Sequence, residues 1–208
     1  MVNVTNVIKG YKLMKQLPQE NSLNLKDATL LETIKRNGKK IKIYHLDLGS
    51  TPFRVAAAGT KGLGDYYILV DNNYMSLPKE MQEVALLHEI GHIVNGDFDG
   101  ALYKSIKMLE SIGANCTTVQ DAYNHYIQLL INLRDINQEY KADAYAVQST
   151  DPGNVVGFLM YLSLSFMSEE IALRYKAVTG EELNRKSLID EVFGDLIKGK
   201  KVIHIDEL

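Results

Sequence analysis

The chain has 208 residues, 46% hydrophobic and 24% charged, which is enough length and apolar content for a substantial core and argues against disorder. Its formal net charge of −3 gives no general attraction for nucleic acid or an anionic membrane. The single cysteine, Cys116, excludes an internal disulfide and a metal site of the CxxC type.

Met1 to Leu17 is interrupted by Asn3, Asn6, Lys9, Lys12 and Lys15. It therefore offers no apolar signal-peptide core, and a cytoplasmic protein is expected. Within it Val4, Val7, Ile8, Tyr11, Leu13 and Met14 recur at helical spacing, predicting a helix from Val2 to Leu17 that stops at Pro18. A polar stretch, Gln19 to Asn24, follows. Lys35, Arg36, Lys39, Lys40 and Lys42 form a basic cluster that reads as a solvated face. Ile41 to Leu48 alternates apolar and polar residues, as a half-buried strand does. Phe53 to Ala58 and Tyr66 to Val70 read as two more strands, joined by a glycine-rich hairpin loop from Gly59 to Asp65.

Beyond Asp71 the pattern turns helical. Ser76 is the expected N-cap, with Pro78 in the first turn and Glu80 near the positive end of the dipole. Val84, Leu87, Gly91 and Val94 make a core-facing stripe, and Asn95-Gly96 supplies the stop. Further helices are expected over Leu102 to Ile112, Val119 to Gln148, Val155 to Phe166, Glu169 to Ala177 and Glu181 to Lys198, with Thr179-Gly180 separating the last two. The longest charge-free apolar run, Val155 to Met167, is shorter than the about 20 residues that a bilayer core requires. It reads as a buried core helix, and no membrane span is expected. No repeat or linker divides the chain. The expected fold is α+β and mainly helical: a single domain over 1–208, with an N-terminal helix and small antiparallel or mixed sheet (about 1–75) on a helical part (about 76–208).

The chemistry concentrates in His88-Glu89-Ile90-Gly91-His92. Histidines at i and i+4 leave the same face of a helix, where both rings reach one zinc ion at about 2.0–2.1 Å. The intervening Glu89 sits beside that ion, placed to take a proton from its water. A catalytic zinc usually has a third protein ligand. The position six residues after His92, where a metzincin places histidine, is Phe98. His45, His125 and His204 read as surface or core residues. Glu139 and Asp143 fit better: they share one face of a helix whose Ala142, Ala144, Tyr145 and Ala146 indicate close packing. Two carboxylates on a packed face need a partner. Zinc supplies one to Glu139, and a ligating imidazole N–H supplies one to Asp143.

The pair of motifs, His88 to His92 followed by Glu139-Tyr140-Lys141-Ala142-Asp143, resembles the gluzincin signature, HExxH with a downstream ExxAD helix. The stretch His88 to Asp97 (HEIGHIVNGD) is similar to the catalytic helix of the heat-shock and CAAX prenyl zinc proteases. The two-part pattern also resembles the soluble ImmA/IrrE-type peptidases. The resemblance implies His88, His92 and Glu139 as zinc ligands, Glu89 as general base and Asp143 behind a ligand. It also implies a zincin-like helical core and a polypeptide substrate. By the same analogy Tyr66 to Val70 is expected to be an edge strand that aligns an extended peptide. Tyr140, Tyr145 and Arg134 are the candidates for a second oxyanion donor. The alternative reading is a zinc-binding regulatory or protein-interaction module that acts on one partner without general proteolysis.

Overall fold

A computed structural model describes residues 2–16, 28–47, 56–60, 65–132, 135–165 and 168–184. The molecule is mainly helical, with a small mixed sheet of four strands. These are β1 (Thr29–Arg36), β2 (Lys39–His45), β3 (Ala56–Thr60) and β4 (Tyr66–Val70), in the order β1-β2-β4-β3. β1 and β2 form an antiparallel hairpin. It turns at Asn37 (φ 45°) and Gly38 (φ 76°), the two successive left-handed residues that match the twist of paired strands. β4 runs parallel to β2 and antiparallel to β3.

The sheet differs from expectation in two ways. β1 carries almost no alternation because nearly all its residues are exposed, so it left no period-two signal. Tyr66–Val70, expected at an edge, lies inside the sheet between β2 and β3. Its run of buried Ile68, Leu69 and Val70 is what burial on both faces produces. Among the described residues the edge strands are β1 and β3.

Asp71 caps a short helix, α2 (Asn72–Ser76), by accepting the N–H groups of Asn73 and Tyr74. Ser76 therefore ends α2 instead of opening the next helix, and Pro78 occupies the N-cap position of α3 (Lys79–Val94). α3 ends as expected, at Asn95 with Gly96 at φ 80°. Lys39, read as part of a solvated cluster, instead donates to the terminal Ile93 carbonyl at 2.6 Å. Its ammonium also lies 4.9 Å from the centroid of the Tyr66 ring. The helix expected over Val119 to Gln148 is two: α5 (Val119–Asn132) and α6 (Ile136–Ser149), the second capped by Asp135. α7 (Pro152–Ser165) is the apolar run, with Val155, Phe158 and Leu159 buried. α8 (Glu169–Thr179) stops at Gly180, φ 79°. Among the described residues no helix is long and apolar enough to cross a membrane. The polar stretch Gln19 to Asn24, the first half of Phe53 to Ala58, the loop tip at 61–64, Arg134, His204 and most of the helix expected from Glu181 to Lys198 lie outside the described residues.

The main core joins the inner sheet face (Ile41, Ile43, Ile68, Val70) to α3, α6 and α7. Fully buried side chains such as Ile41, Ile68 and Ile93 each contribute about 1.5–3 kcal/mol. A smaller core, built from Leu13, Ile112, Cys116 and Ala122, joins α1 (Val4–Lys15), α4 (Ala101–Asn115) and α5.

The contact that places the motifs together is between α3 and α6. A Cβ on Gly91 would lie 2.9 Å from Ala142 Cα and 3.0 Å from Ala142 O, so only glycine lets the α6 backbone approach so closely. Gly91→Ala is expected to push the two helices apart and destabilise the protein by about 1–3 kcal/mol, read as a lower urea midpoint at unchanged slope. An unchanged midpoint would contradict this packing.

Candidate metal centre

The α3–α6 contact brings His88, His92 and Glu139 into one group whose ligand atoms all lie within 4.8 Å of one another. The imidazoles meet edge to face, with Nε2 atoms 3.1 Å apart. Glu139 faces both, with Oε2 3.2 Å from His88 Nε2 and Oε1 3.6 Å from His92 Nε2.

Each histidine has its other nitrogen on a carboxylate. His88 Nδ1 is 2.8 Å from Asp143 Oδ1, and His92 Nδ1 is 2.7 Å from Asp97 Oδ2. Ionised carboxylates only accept, so each Nδ1 carries the proton and donates it. In neutral rings that leaves both Nε2 atoms as bare lone pairs, aimed at each other and at a third acceptor, Glu139. Acceptors converging this closely are relieved by a positive charge between them, either a proton or a metal ion. Tetrahedral donors about 2.0–2.1 Å from one ion stand about 3.3–3.4 Å apart, which matches separations of 3.1, 3.2 and 3.6 Å. The residues present thus fit a metal ion.

A second layer of charge comes from α8. Arg174 is buried and grips Asp143 with two hydrogen bonds, Nε to Oδ2 and Nη2 to Oδ1, both 2.8 Å. Its Nη1 lies 3.2 Å from Glu139 Oε2 and 3.9 Å from Glu170 Oε1. Nη2 also stands 3.2 Å from His88 Nδ1; both nitrogens carry protons, so this is proximity and not a hydrogen bond. Arg174 balances one of the two carboxylates, Glu139 and Asp143. The remaining negative charge faces the histidines.

Without a metal, a proton takes that place. Burial disfavours the charged His88 ring, but hydrogen bonds to Asp143 and Glu139 outweigh it and raise its pKa to about 9. Burial likewise opposes ionisation of Glu139 and Asp143. For Glu139 it is outweighed by His88, Arg174 and His92, and for Asp143 by Arg174 and His88; both fall to about 2.

Glu89 is half-buried beside this group. Its Oε2 accepts the backbone N–H of Ala58, in β3, at 2.7 Å. Glu139 also lines a cavity of about 360 Å³ with Asp135, Ile136, Glu169, Glu170 and Leu173, so the third donor is reachable from outside.

The structure therefore gathers His88, His92, Glu139 and Asp143 as the motifs implied. It leaves His45 at the surface, paired with Asn72, and His125 on Ser111 in the smaller helical cluster. Tyr145 packs against the main core. Arg174 and Asp97 are the hydrogen-bonding neighbours of this group that the sequence motifs did not single out. For Arg174 the available signal was its place three residues after Ile171, on the buried side of α8. For Asp97 it was a carboxylate just past the Gly96 stop. No family model, curated protein or solved structure matches this chain.

Two outcomes follow from the charges. The metal-free protein holds His88 above its ordinary 6.5, so the stability this proton contributes is complete below about pH 6.5 and is lost as pH rises through about 9. Glu139 and Asp143 sit below their ordinary 4.5 and 3.8, so their contribution is present above about pH 4.5 and is lost as pH falls toward about 2. Urea midpoints across this range should show both losses; metal-loaded protein should keep its stability to higher pH, and a flat metal-free profile from 6.5 to 9 would refute the scheme. Arg174→Met leaves Asp143 as an undercompensated buried charge and should cost about 3–5 kcal/mol, measured by urea unfolding at fixed metal concentration.

Proposed function

We propose that the chain is a zinc-dependent metallopeptidase of the gluzincin type, cutting a polypeptide substrate. The observation that carries this reading is the convergence of three acceptors, His88 Nε2, His92 Nε2 and Glu139, with Glu89 on the same helix as two of them. Nitrogen and carboxylate donors in this number suit zinc, with one position left for water. Bound there, zinc would supply Lewis acidity and a water acidic enough to react near neutral pH.

The chain's own residues supply the rest. Asp143 and Asp97 hold each imidazole in the tautomer that frees Nε2. Arg174 holds Asp143 and partly neutralises Glu139. Glu89 receives a proton from the water that attacks the peptide carbonyl and passes it to the leaving nitrogen. One water is consumed, and a carboxylic acid and an amine are released. The sheet edge beside Glu89 belongs to β3, so an extended peptide would lie beside β3 and not along Tyr66–Val70, with the Ala58 N–H left to Glu89. Cys116, free and buried, suits a reducing compartment such as the cytoplasm.

Two variants test the reading. Wild type should hold one zinc per chain, and Glu139→Ala should weaken that binding sharply, as metal analysis after dialysis would read. Glu89→Gln should keep the zinc yet lose at least about 100-fold in turnover. Full turnover in Glu89→Gln, or no zinc in wild type, would overturn the assignment.

A further inference from the structure

We propose that the backbone N–H of Ala58 is a positioning group for Glu89: it fixes one carboxylate oxygen so that the other faces the His88–His92–Glu139 group. The catalytic consequence rests on the peptidase reading; the contact does not.

β3 is an outer strand of the sheet as described, with Ala58 opposite Ile68 of β4. In an antiparallel pair, residues alternately direct their N–H and C=O toward the partner strand and away from it. The Ala58 N–H goes to Glu89 Oε2 at 2.7 Å, so it is one of the outward groups. On an edge strand such a group is normally open to any incoming strand; here the base occupies it.

This donor suits the task for two reasons. A glutamate side chain samples many rotamers unless something holds it. A side-chain donor would itself need ordering, whereas a backbone amide in a paired strand is already in place. The hydrogen bond is also charge-assisted, hence among the stronger kinds. The side chain at 58 is only a methyl group, partly buried against the main core. That small size lets the β3 backbone come within hydrogen-bond reach of α3. A large residue there would lift the strand and leave Glu89 unheld.

The hydrogen bond can be removed with little disturbance of the ladder. Replacing Ala58 by lactic acid changes its amide to an ester, which deletes the N–H and otherwise only weakens the Ala57 carbonyl as an acceptor. Ala58→Pro does the same by ordinary mutagenesis, and proline is tolerated where an edge strand's N–H points outward. In zinc-loaded protein both should keep their metal and lose roughly 10- to 100-fold in kcat, the worth of one charge-assisted hydrogen bond, with KM little changed. Ala58→Ser, which retains the N–H, should recover turnover relative to Ala58→Pro.

An NMR measurement reads the contact without turnover. The Ala58 amide proton should resonate downfield, then move upfield and exchange faster in Glu89→Ala. Wild-type kcat in the ester variant, or an Ala58 amide indifferent to Glu89→Ala, would overturn the proposal. No turnover in any variant, with the NMR response intact, would support the contact and sink the peptidase reading instead.

Discussion

The centre depends on one buried carboxylate, Asp143. Taking an ionised carboxylate out of water costs several kcal/mol unless it is paired and hydrogen-bonded. Here two hydrogen bonds come from Arg174 on α8 and one from His88 on α3. A charge on one helix is thus satisfied only by groups from two others, and this fixes α3, α6 and α8 in a single arrangement. The same hydrogen bond decides which nitrogen of His88 keeps its proton. One interaction therefore sets helix positions and ligand chemistry together.

Steric fit and electrostatics reinforce each other. The bare backbone at Gly91 and the small Ala142 set the α3–α6 distance, and that distance sets how far Glu139 stands from the two imidazoles. The sheet contributes as well, where the small Ala58 lets the β3 backbone reach Glu89. Lys39 holds the far end of α3 through the Ile93 carbonyl. The helix bearing both histidines is therefore restrained along its length by groups remote in sequence.

Features set by local spacing were legible in the sequence. The i, i+4 histidines, the shared face of Glu139 and Asp143, the glycine at the helix contact and the stops at Gly96 and Gly180 all follow from residues within a few positions of one another. Features set by pairing across the chain were not. The interior place of Tyr66–Val70 depends on which strands flank it, and Arg174 finds Asp143 only because α6 and α8 pack together. The break before α6 is an intermediate case: Asp135 is a sound N-cap, but apolar periodicity on either side masked it. β1 left too little pattern because so little of it is buried.

The excursion between the two ligand helices has a consequence of another kind. α4 and α5 lie in the chain between His92 and Glu139, yet their buried residues cluster with α1 in a small core of their own. The entropy of closing a loop grows only as the logarithm of its length, so the size of such an excursion hardly bears on whether its ends meet. Substitutions and length changes there are largely decoupled from the geometry at His88, His92 and Glu139. The architecture gives selection a region to reshape, and with it a surface to vary, while the proposed chemistry stays in place.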